Sequence, residues 1–268
     1  MTQDTQPLSE KTRQTLHAAI GFALAIAVVN GFGRFAYALL LPIMRTDLQW
    51  DYALSGWLNT ANSLGYGLGA LVGMLLLSRL KASTLFVAGL VTAVLTLLLC
   101  GITRDLPVML FLRFICGVGS AWVFACGGAL VASQYSSDPA RAASAIAVYY
   151  AGGGLGIAAS GLLIYPVLSG EWTWPIGWAV LGAAGLMLSL WPAKLALAIG
   201  GTSQTHSSAH NNESMPWRRF HIIIAAYWLY GVGYIVYLTF VIAWLKEMNL
   251  GTAAATIVWL VLGAASMA

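Results

Sequence analysis

Charge is what this sequence lacks. Only 8% of its 268 residues are Asp, Glu, Lys or Arg, and 59% are hydrophobic, whereas a soluble domain carries about 25% charged residues. With a mean hydropathy of +0.79, an ordinary water-soluble domain is excluded and a polytopic membrane protein is indicated. Cysteine is nearly as scarce. Cys100, Cys116 and Cys126 fall in apolar segments at no metal-ligand spacing, which excludes a disulfide framework and leaves three small buried hydrophobes. Histidine is confined to His17 and His221 at helix ends and to His206 and His210 in a polar stretch. An intramembrane hydrolase needs a base at depth, and Ser160 has none, so no enzyme is expected. His206 and His210 stand at i, i+4, but the Ser, Thr and Asn around them argue against a helix that would present them to a metal; no metal and no cofactor is expected.

The basic excess is small, +4 from 13 Lys and Arg against nine Asp and Glu. These bases are scattered through short loops and form no patch, which argues against nucleic acid as a partner. Lys11 and Arg13 precede an apolar run too long for a cleaved signal.

What is present is a succession of apolar runs. They cover about Leu16–Met44, Leu54–Leu77, Thr84–Ile102, the stretch after Pro107 to Ser133, Ala142–Leu168, Trp174–Trp191 and Phe220–Leu245, and an eighth from Thr252 stops at Ala268. Each full run can cross a hydrocarbon core of about 30 Å, and backbone satisfaction in lipid makes it a helix. The expected fold is all-α, a polytopic bundle of seven full transmembrane helices and a truncated eighth. Its domains are a six-helix bundle over 1–191, a linker over 192–219 and the start of a second bundle over 220–268. The linker is polar and without apolar period, from Gly200 to Ser214. With the N-terminus in the cytoplasm, Lys11, Arg13, Arg79, Lys81, Arg141, Lys194, Arg218 and Arg219 lie inside and only Arg45, Arg104 and Lys246 outside. That asymmetry is the positive-inside pattern of a multi-pass protein of the cell (inner) membrane.

Against this background Arg34 stands out, the only formal charge between Leu16 and Met44 and roughly 15 Å from the Met44 end. An Arg at such depth costs at least about 2.5 kcal/mol, so it is expected to face protein, a wet cavity or an anion. The second intramembrane cation, Arg113, lies roughly 9 Å from the outer end, where either snorkelling or a cavity would suit it. No Asp or Glu lies well inside any span. Two like charges in a low dielectric repel, so an anionic substrate, or a carboxylate from elsewhere, is expected as their counter-ion.

Six helices, a long linker and a second helical set resemble the major facilitator superfamily. Gly31-Phe-Gly-Arg-Phe-Ala-Tyr37, Gly65-Tyr-Gly-Leu-Gly-Ala70 and Tyr230-Gly-Val-Gly-Tyr-Ile-Val-Tyr-Leu-Thr-Phe240 are similar to its YbfB/YjiJ-type branch. Arg113-Phe-Ile-Cys-Gly117-Val-Gly119 resembles the superfamily's fourth-helix pattern. Gly152–Gly161 approximates the fifth-helix antiporter pattern, with Ile157 where that has Pro and Ser160 where it has Gly. The turn Leu77-Ser-Arg-Leu-Lys81 lacks the acid the superfamily usually shows between helices two and three. The resemblance implies two helical bundles around a central cavity, proton-linked transport, and about twelve helices, so this chain resembles an N-terminal half plus part of the second.

Ser55, Asn59, Asn62 and Tyr66 share one face of the second helix, and Tyr227, Tyr230, Tyr234 and Tyr237 repeat that spacing in the seventh. Either stripe can line a pore or pack the bundle; Asn59, Asn62, Tyr66, Tyr230, Tyr234 and Tyr237 join Arg34 and Arg113 as candidates for binding or coupling. Gly65, Gly69 and Gly73, and Gly152, Gly156 and Gly161 with Ser160, follow the small-residue rule for close helix contact and gating surfaces. The two GxGxx(G/A) matches at Gly31 and Gly154 lie inside apolar spans and follow no strand, so they do not indicate a nucleotide site. The expected function is alternating-access transport of a small, anionic or amphipathic organic solute, with protons and the bilayer as further partners. The readings beside it are a partial chain unable to complete a cycle and a non-transporting sensor or scaffold.

Overall fold

The computed structural model describes residues 8–135, 138–202 and 217–267. The stretch with His206 and His210, and the side chains of Tyr227 and Tyr230, lie outside the described residues. The first apolar run forms one rod in three parts: α1 (Leu8–Ile26), a π-helical segment (Ala27–Phe35) and α2 (Tyr37–Asp47). Then follow α3 (Tyr52–Leu76), α4 (Ala82–Cys100), α5 (Leu106–Ser133), α6 (Pro139–Leu168), α7 (Trp174–Thr202), α8 (Trp217–Glu247) and α9 (Thr252–Ala265). No strand occurs among the described residues. The expected helical bundle is therefore present. The count of seven full spans is met in part: five rods, 17–47, 82–100, 106–133, 139–168 and 174–200, are long and apolar enough to cross a membrane. Helices α3 and α8 have spanning length, at 25 and 31 residues.

Three acidic side chains cap helix starts. Asp51, Asp105 and Asp138 each accept from a backbone N–H three residues on, at 2.7, 3.0 and 3.2 Å, satisfying an orphan donor of α3, α5 and α6. Several boundaries differ from the sequence reading: α1 begins at Leu8 rather than Leu16, and α8 at Trp217 rather than Phe220. Helix α7 runs through Pro192 to Thr202, inside the stretch assigned to the linker, because Ala193-Lys-Leu-Ala-Leu-Ala-Ile199 are strong helix formers that carry it past the proline.

The buried side chains form two layers. One surrounds Phe22, Phe86 and Tyr149 toward the N-terminal end, and the other surrounds Tyr37, Trp174, Trp178 and Trp259 toward the α2–α3 turn. Glycines let helices touch along both layers. A Cβ at Gly65 would collide with the Phe114 carbonyl, and one at Gly69 would lie 2.6 Å from the Val118 Cα, so α3 lies backbone to backbone on α5. Gly152 and Gly156 of α6 meet the Ala23 and Ala27 carbonyls of the first rod, and Gly73 and Gly161 receive the rings of Trp122 and Trp259. All six glycines singled out from sequence thus sit at helix contacts.

A repeat also emerges. The turns after α2 and α8 carry left-handed Gln49 (φ 55°) and Asn249 (φ 56°) and share their hydrogen bonds: Leu48 and Met248 N–H donate four residues back, Trp50 and Leu250 N–H five. At this same offset of 200 residues Gly31, Gly33 and Tyr37 match Gly231, Gly233 and Tyr237. This internal repeat puts Tyr234 at the position that Arg34 holds in the first rod.

Candidate functional site

The site begins with the π-helical segment. Ala36 N–H reaches Gly31 O, five residues back, at 2.9 Å; such widened turns occur mostly as short insertions and often at functional sites. Helix α5 supplies donors for the displaced carbonyls from positions i, i+3 and i+7. Arg113 Nη1 and Nη2 donate to Gly33 O and Arg34 O at 2.5 and 3.3 Å. The Cys116 thiol meets Gly33 O at 3.6 Å and the Ser120 hydroxyl Val29 O at 3.4 Å. Arg113 is 1% exposed. Its guanidinium carbon lies 5.4 and 5.5 Å from the ring centroids of Tyr37 and Trp178, which soften the cost of burying charge without a carboxylate. Neither snorkelling nor an open cavity describes this geometry.

Arg34 is placed differently. It is half-buried, its guanidinium carbon 4.9 Å from the Tyr66 centroid and 5.7 Å from that of Phe35. Among the described residues it has no ion pair and no hydrogen bond from its guanidinium. It borders a crevice shared with Phe35, Ala38 and Asn59 on one side and Ile235, Leu238 and Thr239 of α8 on the other. The crevice has room of about 10 Å³, enough for one water. The structure thus separates the two arginines that charge alone grouped together: one holds backbone, the other faces the seam where α8 meets the first rod and α3.

The α3 stripe also divides. Asn59 Nδ2 donates to Thr239 Oγ1 across the seam, while Oδ1 is buried without a partner. Asn62 is fully buried and donates to Arg113 O at 3.0 Å, bracing α5. Ser55 O accepts from the Tyr37 hydroxyl at 2.7 Å, and Tyr66 lies against the Arg34 guanidinium. On α8, the Tyr234 ring lies tilted against Phe35, centroids 6.4 Å apart and planes at 54°, while Tyr237 is exposed and does not border the crevice. The helix turns Ile235, Leu238 and Thr239 to the seam, a face beside the tyrosine stripe. Thr239 escaped the sequence reading because a lone threonine in an apolar helix carries no periodic signal.

At the α2–α3 end, Glu247 accepts from the Tyr52 hydroxyl and pairs with Arg45 at 3.6 Å. Asp47 accepts from Trp174 Nε1 at 2.7 Å and pairs with Arg104 at 3.5 Å. Sequence analysis left these loop charges unassigned because their partners lie on different turns. Among the described residues no cluster of three or more His, Cys, Asp and Glu is placed to hold a metal.

An all-helical chain with five rods long and apolar enough to cross a membrane fits a multi-pass membrane protein, and the chain is an MFS-type protein. Specifically, it belongs to the family described as the uncharacterised MFS-type transporter YbfB, whose model matches residues 26–268. It is similar to the uncharacterized MFS-type transporter YceJ of Bacillus subtilis (strain 168), 27% identical over 257 residues, covering 91% of this chain and 62% of that relative. The chain therefore spans less than two thirds of that relative's length.

Proposed function

We propose that the chain carries the anion-holding part of a secondary transporter for a small anionic or amphipathic organic solute, working by alternating access in the cell (inner) membrane with its N-terminus in the cytoplasm. The supporting observation is Arg34: a guanidinium with its hydrogen-bond donors unused among the described residues, held on an aromatic ring at a seam lined by the first rod, α3 and α8. A carboxylate or phosphate there gains charge-assisted hydrogen bonds in a low dielectric. The rings of Phe35, Tyr66 and Tyr234 suit an apolar body beside the charge. Arg113 enters this reading as a positioning residue, because it holds the carbonyl of Arg34 itself.

With room for one water, the crevice is in a closed form, and a solute enters only when α8 moves off α2 and α3. The Asn59–Thr239 and Arg45–Glu247 contacts are the polar ties to be broken. Proton linkage belongs to the reading through the family alone. The test is a thermal-stabilisation screen of the purified chain against carboxylates, phosphates, amines and neutral solutes. Anions are expected to stabilise the wild type and not Arg34→Ala, while Arg34→Ala still reaches the membrane. Equal stabilisation of the two, or a preference for amines, overturns the reading.

A further inference from the structure

Solute-sized space exists elsewhere in the molecule. At the end where α2 turns into α3, two cavities of about 370 and 500 Å³ share Ile43, Asp47 and Lys246 as walls, volumes in the range that holds small organic ligands. Their charged lining is Arg45, Arg104 and Lys246 against Asp47 and Glu247. Both carboxylates are engaged, Asp47 by Trp174 and Arg104, Glu247 by Tyr52 and Arg45. Lys246 alone among these cations has no ion pair or hydrogen bond from its ammonium among the described residues, and it borders both cavities. Val167, Leu168 and Trp172 supply apolar lining to the smaller cavity, which Ser169 and Thr173 also border.

With Arg45, Arg104 and Lys246 set against only Asp47 and Glu247, both carboxylates engaged elsewhere, the exposed ammonium of Lys246 leaves the vestibule with one positive charge in excess. The apolar lining selects for an organic body over a bare inorganic ion. We infer that this vestibule is an anion-binding site centred on Lys246, taking a small organic oxyanion whose charged group meets Lys246 and whose apolar part lies on Trp172. The oxyanion can arrive as a free carboxylate or as the headgroup of an anionic phospholipid; the chemistry at Lys246 is the same. The site is separate from Arg34 and does not rest on the transport reading.

Benzoate is the probe, measured by equilibrium dialysis on the full chain in nanodiscs of phosphatidylcholine, with Arg34→Gln as background so that the seam is silenced. Arg34→Gln is expected to retain benzoate binding. Adding Lys246→Gln is expected to weaken it by about tenfold or more, the worth of one charge-assisted hydrogen bond, and adding Lys246→Arg to restore it. Because the ammonium supports no contact within the fold, Lys246→Gln is expected to melt with the parent, which separates lost binding from lost structure. Unchanged benzoate binding in the Lys246→Gln chain overturns the inference, as does binding that vanishes with Arg34→Gln alone. Repeating the titration with phosphatidylglycerol in the disc identifies the source: competition with benzoate makes the headgroup the occupant, and its absence makes the free solute the occupant, the site standing in either case.

Discussion

The guanidinium of Arg113 donates to the carbonyl oxygen of Gly33 at 2.5 Å, across a sequence separation of 80 residues. Its second nitrogen takes the carbonyl of Arg34. One buried cation thus fixes the backbone from which the other projects. Removing a guanidinium that serves backbone should therefore cost more stability than removing one that faces a crevice.

Arg113→Met takes the guanidinium donors from the Gly33 and Arg34 carbonyls and leaves Gly33 O with only the weak Cys116 thiol, so a loss of about 1–3 kcal/mol or more is expected. Arg113→Lys keeps the charge and recovers only part, since one ammonium lacks the planar fork that reaches both oxygens. Arg34→Gln gives up ring contacts alone, worth about 0.5–1 kcal/mol. Denaturant unfolding of the three variants in one detergent checks the order; an Arg34→Gln chain as unstable as Arg113→Met would contradict it.

Thr239→Val keeps the shape of α8 and removes the acceptor for Asn59 Nδ2. Asn59 Oδ1 already lacks a partner, so its carboxamide would be wholly unsatisfied, at a cost of about 1–3 kcal/mol. The expected response is separation of α8 from α3, read as a longer distance between spin labels at the exposed positions Gln49 and Met248. Glu247→Gln is the contrast. Its pair with Arg45 has side chains 54% and 30% exposed, and such pairs are worth about 0–1 kcal/mol, so little change in that distance is expected. Equal distances in wild type and Thr239→Val would remove the tie from the mechanism.

Gly156→Leu and Gly67→Ala set contact against space. A Cβ at Gly156 collides with the Ala27 carbonyl in the π-helical segment, whereas nothing lies within 4 Å of one at Gly67. The first should cost about 1–3 kcal/mol or more as the helices part, and the second should gain about 0.5–1 kcal/mol from helix propensity. Melting temperatures of both variants decide it.

Much of this was legible from residue order. The depth of Arg34, the glycine spacings and the apolar runs are properties of single helices, and period and length report them without a partner. The role of Thr239, the π-helical turn and the extension of α7 past Pro192 were not legible, because each depends on groups supplied by other segments or on a balance between local preferences.

By itself, the sequence determined that this chain is a membrane helical bundle, where its runs lie and that two guanidiniums fall inside them, since apolar length and scarce charge leave those runs no other solvent. Only the tertiary structure decided which guanidinium faces the seam. That choice rests on carbonyls freed by a widened turn and met from a helix 80 residues away, a pairing no local pattern encodes.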